Sequence, residues 1–229
     1  MEQKNTPFHI AIIPDGNRRW ARERNLPTLE GHRRGFDVAN ELIHTGHKLG
    51  VSIMTIWAFS TENWRRTTDE VGYLMRLYER MIERNLKEAH QEQTRIIHLG
   101  RKDRLADSLL KKILKAEEET TPYTKHYLCV GIDYGGEDEI LRAIQKESQK
   151  PGEWTHEKLF RSLDTAALPQ QQIDLIIRTS GEQRTSGFMP LQSTYSEYHF
   201  STLLFPDFSS DEFTKVIEGY SSRNRRFGK

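Results

Sequence analysis

Residues 10–13, Ile-Ala-Ile-Ile, form an unbroken apolar run that stops at Pro14-Asp15-Gly16-Asn17. An apolar run without alternation is the pattern of a strand covered on both faces of a sheet. Proline ends it because it cannot donate to the ladder, and Asp-Gly-Asn carries turn chemistry. Arg18, Arg19, Trp20 and Ala21 then open a helix. A strand, a glycine turn and a helix start together make an anion site, since free N–H groups and the helix dipole point out of the turn. The two arginines add donors suited to phosphate oxygens. Asp15 would repel a phosphate unless a cation sat between them, which implies Mg²⁺ held by Asp15 and phosphate oxygens. The same residues also fit an ordinary strand–turn–helix corner with a capping aspartate, and this stretch alone does not choose.

The pattern of strand, polar loop and helix recurs down the chain. Apolar runs predict strands at 51–59, 94–99, 127–132, 173–177 and 202–205. Helical spacing predicts helices at 36–49, 68–92, 103–118, 137–147, 155–163 and 211–222, with 22–31 as a charged, irregular connection. Strands alternating with helices define an α/β fold, a mostly parallel central sheet of about six strands flanked by helices. No repeat or linker divides it, so residues 1–229 form one domain. In such sheets ligands bind at the carboxyl ends of the strands. Three strands discharge there into donor-rich loops: Arg18/Arg19, Arg65/Arg66 and Arg178/Arg184/Ser186. A fourth basic cluster, Arg223, Arg225 and Arg226, lies in the tail. Several converging clusters suit two polyanionic groups bound side by side, with Asp15 and Glu197 as the carboxylates that could hold a divalent cation.

Charge and cysteine content narrow the setting. Lysine and arginine total 34 against 33 acids, a balance that argues against a nucleic-acid binder and also allows most arginines to pair on the surface. The lone cysteine, Cys129, excludes a disulfide framework and fits a reducing compartment. No apolar run has the length of a membrane span, which points to a cytoplasmic protein able to touch a membrane only peripherally. Neither GxxxxGK[ST] nor GxGxxG occurs, so the usual nucleotide signatures are absent. These residues by themselves describe an α/β enzyme handling two phosphate or diphosphate esters with Mg²⁺.

An ordered set of motifs goes further. HIAIIPDGNRRWA (9–21), GHRRG (31–35), AFSTENWRR (58–66), EV..LM (70–75), DYGGEDEI (133–140), RTSGEQRTSGF (178–188), YSEYHF (195–200), PDF (206–208) and RRFG (225–228) follow one another from end to end. In this the chain resembles the cis-prenyltransferases, the undecaprenyl diphosphate synthase family. The resemblance implies condensation of isopentenyl diphosphate with an allylic diphosphate such as farnesyl diphosphate, giving a cis-polyprenyl diphosphate, undecaprenyl diphosphate in the first instance. It implies that Asp15 is the essential Mg²⁺-linked aspartate. Gly16, Asn17, Arg18, Arg19 and Trp20 would hold the allylic diphosphate, with His32 in the same pocket or, alternatively, a structural cap. Phe59, Ser60, Thr61, Glu62, Trp64 and Arg66 would belong to a loop that orders over the substrates, and Asn63 would assist proton removal. Arg178, Arg184 and Ser186 would clamp isopentenyl diphosphate, and Glu197 would be the second carboxylate near the metal. Arg226 would reach the site of a partner subunit, which implies a homodimer.

Departures from the family pattern bear on substrate choice and product length. Thr28 stands where arginine is frequent, Glu137 follows Tyr-Gly-Gly in place of arginine, and Gly187-Phe188-Met189-Pro190-Leu191 replaces Asn-Phe-Leu-Leu-Trp. Ala58 is small where bulk would narrow a tunnel mouth, which favours medium or long products. Two other classes compete: a non-catalytic accessory subunit of a cis-prenyltransferase, and an enzyme of the same fold with altered condensation or diphosphate chemistry.

Overall fold

The computed structural model describes residues 6–148 and 152–222. β1 (His9–Ile13) sits near the middle of one sheet, completed by β2 (Ile53–Ser60), β3 (Thr94–Leu99), β4 (His126–Tyr134), β5 (Leu175–Arg178) and β6 (Glu197–Phe200). The order is β3-β4-β2-β1-β5-β6 and every pairing is parallel. Seven helices among the described residues flank it: α1 (Asn17–Glu23), α2 (Thr28–Lys48), α3 (Thr68–Glu92), α4 (Asp107–Thr120), α5 (Gly136–Ser148), α6 (His156–Phe160) and α7 (Ser210–Ser221). The single α/β domain expected from the alternation is what the chain forms.

The double burial read from β1 is literal. Ile10 and Ile12 enter the core under α2, α3 and α7, while Ala11 and Ile13 enter a second core with Ile176, Phe188 and Met189 on the opposite face. Cys129 is fully buried in that second core, and burial pushes its thiol up to about 12, so it is an inert packing residue. β1 leads toward β2 on one side, and the chain later crosses back to lay β5 on the other. The carboxyl ends of β1 and β5 therefore meet where the winding reverses, the place where open α/β sheets bind ligands.

Two expected elements differ. α2 begins at Thr28, behind the non-helical backbone of Pro27, so residues 28–31 are helical and not a loose connection. Its first buried positions are Gly31, His32 and Gly35, which leave no apolar period to detect. The last strand is Glu197–Phe200, not 202–205; it pairs only with β5, and all four residues are partly exposed. An edge strand of this kind carries no apolar run, whereas Leu203 and Leu204 form a loop and Phe205–Asp207 a 3₁₀ turn.

Candidate active site

The turn after β1 is held from three sides. The Asp15 N–H donates to Thr179 Oγ1 (3.0 Å), and the Thr179 hydroxyl donates back to the Asp15 carbonyl (2.7 Å). Phe205 N–H donates to that same carbonyl. Gly16 has φ of 103°, and a Cβ there would lie 2.9 Å from Leu204 and 3.0 Å from Ser180, so only glycine serves. Gly31 and Gly35 let α2 lie directly on Asn17, where Cβ atoms would stand 2.0 Å and 2.3 Å from Asn17 oxygens.

Charge is arranged around three carboxylates. Arg178, nearly buried at the end of β5, donates to Asp15 Oδ2 (2.8 Å), Ser186 Oγ (2.9 Å) and the Arg184 carbonyl (2.5 Å). Glu182 accepts from both Arg19 (3.3 Å) and Arg184, and Arg184's hydrogen bond and charge hold the Glu182 carboxyl below the usual carboxylate range. Glu70, in the first turn of α3, accepts from Arg66 (2.9 Å) and His32 (3.1 Å), with Arg18 Nε 3.9 Å away. Burial alone would push the Glu70 carboxyl up, but Arg66, the His32 bond and Arg18 outweigh it and leave it lowered. Burial pushes the His32 imidazole down against the pull of Glu70, and the carboxylate, which can only accept, takes its hydrogen bond from His32 Nε2.

These groups surround a polar basin of about 610 Å³ lined by Asp15, Gly16, Asn17, Arg18, Arg19, Arg22, Asn25, Thr28, His32 and Arg66. Behind it lies an apolar cavity of about 60 Å³ between α2, α3 and β2, lined by Phe36, Ala39, Ala58, Leu74, Leu77, Tyr78 and Met81. Pro14, Asn17 and His32 line both. A cationic basin opening onto an apolar slot accommodates an anionic head with a hydrocarbon tail. The model of the family described as putative undecaprenyl diphosphate synthase matches residues 13–228. The chain belongs to that family.

Curated relatives agree in name and extent. An isoprenyl transferase of Aquifex pyrophilus is 42% identical over 224 residues, 97% of this chain and 96% of the relative. One of Thermotoga maritima is 42% identical over 227 residues, 97% of each chain. Among solved structures, lavandulyl diphosphate synthase from Lavandula x intermedia, in complex with dimethylallyl diphosphate, superposes with a TM-score of 0.93 at 33% identity, covering 98% of this chain and 99% of that one. A probable undecaprenyl diphosphate synthase from Campylobacter jejuni gives 0.82 at 32% identity, covering 98% and 100%. The family is one of isoprenyl transferases, so the basin is read as belonging to an enzyme that transfers isoprenyl groups.

The structure gathers Asp15, Gly16, Asn17, Arg18, Arg19, His32 and Arg66 into the basin wall. Arg178 ties Ser186 and Asp15 together beside it, and Arg184 joins through Glu182. Other expected residues sit elsewhere. Trp20 donates to Asp207 (2.7 Å) under a stacked Arg24, away from the basin lining. Phe59 is buried in the core against Trp64 and Tyr78. Ser60 and Asn63 close a capping box on the 3₁₀ turn Thr61–Arg65, with the Ser60 N–H donating to Asn63 Oδ1 (3.1 Å). Thr61 donates to Glu62. Trp64 donates to Asp133 (2.8 Å).

Glu197 is level with Leu175 in the β5–β6 register, three steps from Arg178 or roughly 10 Å along the strand, so one chain does not bring it to Asp15. Arg226 lies outside the described residues. Glu70, Glu182, Arg22 and Asn25 are site residues that sequence reasoning did not assign. Glu70 also has a local role, since Thr67 caps α3 by accepting the Glu70 N–H.

Asp15 suits a magnesium site shared with substrate. Its carboxylate is about a third exposed, with one oxygen already held by Arg178. Among the described residues no group of three His, Cys, Asp or Glu side chains could hold a metal ion unaided. Magnesium commonly binds through one or two carboxylates together with substrate phosphates, and of such a set Asp15 offers one carboxylate at the basin wall.

Proposed function

We propose that this chain is a cis-prenyltransferase that condenses isopentenyl diphosphate with an allylic diphosphate, farnesyl diphosphate in the first instance, as a Mg²⁺-dependent homodimer. The observation that carries the reading is the cationic basin opening onto the apolar cavity, with Asp15 at the junction of β1 and β5. In the reaction the allylic C1–O bond breaks and the electron pair leaves with the diphosphate. The isopentenyl double bond attacks C1, and the carbon next to the resulting cationic centre gives its proton to the departed diphosphate or to water, which forms the new double bond. Arg18, Arg19 and Arg66 face the departing diphosphate and offset its charge. Arg178 orients Asp15 for the metal, which would neutralise the leaving group when bound. Asn63, engaged in the capping box, holds the turn that leads to Arg66, and this supports a positioning role for it. The lipid product would bring the protein to a membrane surface; no described helix is long and apolar enough to cross one.

Undecaprenyl diphosphate is the product the family name suggests. A second reading, a shorter product, is favoured by the 60 Å³ apolar cavity, several-fold below the ~300–1,000 Å³ of typical ligand pockets. The likeness to lavandulyl diphosphate synthase points the same way. The test is to incubate the purified chain with Mg²⁺, farnesyl or dimethylallyl diphosphate and labelled isopentenyl diphosphate, beside an EDTA control. An EDTA-sensitive ladder supports the enzyme, and its length separates the two readings. No incorporation with any primer returns the chain to the accessory-subunit class or to altered condensation or diphosphate chemistry on the same fold. Asp15→Asn keeps an acceptor for Arg178, so it should stay folded yet lose turnover by orders of magnitude; near-normal rates would remove Asp15 from the mechanism.

A further inference from the structure

Asp133 is fully buried at the carboxyl end of β4, with φ of +55°. A buried carboxylate must be paired, and here both oxygens are. Arg104, from the segment between β3 and α4, forks onto it through Nε (2.8 Å to Oδ2) and Nη2 (to Oδ1). Trp64 Nε1–H donates to Oδ1 (2.8 Å). The backbone beneath is pinned as well, since Arg101 N–H donates to the Asp133 carbonyl, and Gly100 passes so close that a Cβ would lie 2.6 Å from it. Asp133 is thus a rigid post. Trp64 is the only member of the group on the 61–65 turn, and its ring also meets Phe59 edge-on at 5.2 Å. That turn leads directly to Arg66, which lines the basin and pairs with Glu70.

We infer that Asp133, clamped by Arg104, is a positioning residue that latches Trp64 and so fixes the 61–65 turn and Arg66 against the diphosphate basin. The inference rests on the basin being a diphosphate site. It assigns the Trp64 indole N–H to the latch, leaving it unavailable to substrate. The latch is asymmetric. Arg104 is 43% exposed, so a freed guanidinium finds water, whereas Asp133 without Arg104 is a buried, half-paired charge.

The test compares wild type, Trp64→Phe, Asp133→Asn, Asp133→Ala and the Trp64→Phe/Asp133→Ala double variant. Pyrophosphate binding is measured by calorimetry, condensation kinetics are run in parallel, and urea midpoints report folding. Trp64→Phe keeps an aromatic ring beside Phe59 and removes the indole N–H together with part of the ring. It should weaken pyrophosphate binding and raise KM about tenfold with kcat little changed, while the urea midpoint falls modestly because Asp133 loses one of its partners. Asp133→Asn keeps an acceptor for Trp64 and should recover most of the affinity lost in Asp133→Ala. In the double variant the losses should not multiply. Wild-type affinity in Trp64→Phe, or multiplying losses, overturns the latch. Trp64→Phe alone decides the question if Asp133→Ala fails to fold. Wild type that binds pyrophosphate without condensing overturns the proposed reaction and leaves the latch to be judged on affinity; wild type that binds no pyrophosphate overturns both.

Discussion

Replacing Gly31 by alanine sets two opposing effects against each other. Gly31 lies inside α2, where alanine should gain about 1 kcal/mol in helix propensity. A Cβ at that position, however, would stand 2.0 Å from the Asn17 carbonyl oxygen, 2.9 Å from its carbon and 3.3 Å from Ala21 Cβ. Real Cβ contacts do not fall below 3.0 Å, so α2 and the Asn17 turn must separate by about 1 Å. Asn17 cannot yield alone, because this oxygen is backbone and belongs to the first turn of α1. Overpacking of this kind costs about 1–3 kcal/mol, which outweighs the propensity gain. The net expectation is a loss of about 1 kcal/mol, or about 2–4 °C in Tm for a chain of this size. The same displacement moves Asn17, Arg18 and Arg19 together, and misplacement by about 1 Å costs about 10²-fold in turnover. Gly72 in α3 is the internal control. Its Cβ would meet only the flexible end of Arg76 at 3.5 Å, so Gly72→Ala should gain about 0.5–1 kcal/mol and leave activity alone. Urea and thermal unfolding with kcat/KM on both variants decide it. If Gly31→Ala is as stable and active as wild type, or if both glycines shift Tm in the same direction, the close approach of α2 to the turn is not what positions the arginines.

Three buried imidazoles, His9, His47 and His98, are each pushed down to about 4, mainly by burial. Their folded pKa values lie below the unfolded value near 6.5, so stability is complete above pH ~6.5 and is lost as pH falls toward 4, by up to about 3 kcal/mol per histidine. Urea midpoints at pH 7.5 and 5.0 should differ accordingly, and a flat profile would show that these rings accept protons in the folded state. Tyr78 walls the apolar cavity and donates its hydroxyl to the Ala58 carbonyl (2.6 Å). Tyr78→Ala should shift product lengths upward by at least one isoprene unit, at a stability cost of about 3–5 kcal/mol. Unchanged products would place the limit on chain length elsewhere.

What the sequence discloses depends on whether a residue's role is local. β1, β3 and α3 are legible because apolar runs and helical spacing are local, and the observed bounds of β3 and α3 match the expected ones. The start of α2 is hidden because its packing face is made of glycines and His32, which carry no hydrophobic signal. β6 is hidden because an edge strand needs no apolar run. Within the site, Asp15, Arg19 and Arg178 can be found as chemistry-bearing residues at strand ends. Their pairings cannot, because Arg178–Asp15 and Trp20–Asp207 join residues 163 and 187 positions apart. Trp20 reads as a site residue by proximity to Arg19, yet the helix turns it toward Asp207. Glu197 reads as a metal ligand by chemistry, yet the parallel register of β5 and β6 carries it away from the strand ends.

The site's acids also explain how an anion-binding basin coexists with a chain whose charges nearly cancel. Glu182 stands between Arg19 and Arg184, holding both guanidiniums near the place a phosphate would take. An incoming diphosphate must displace that carboxylate, and it offers more charge and more acceptor oxygens in exchange. Glu182→Gln removes the competitor while keeping a carbonyl acceptor. Two effects oppose each other again: less repulsion favours the anion, and looser arginines disfavour it. Arg184 is 60% exposed and Arg19 41%, and ion pairs this exposed contribute little ordering, so the electrostatic gain should win. Pyrophosphate without Mg²⁺ should therefore bind Glu182→Gln more tightly than wild type at low salt. The difference should shrink toward 1 M salt, where the screening length falls to about 3 Å. Calorimetry across a salt series measures both. Weaker binding by Glu182→Gln at low salt would mean that Glu182 orients the clamp and does not merely occupy it.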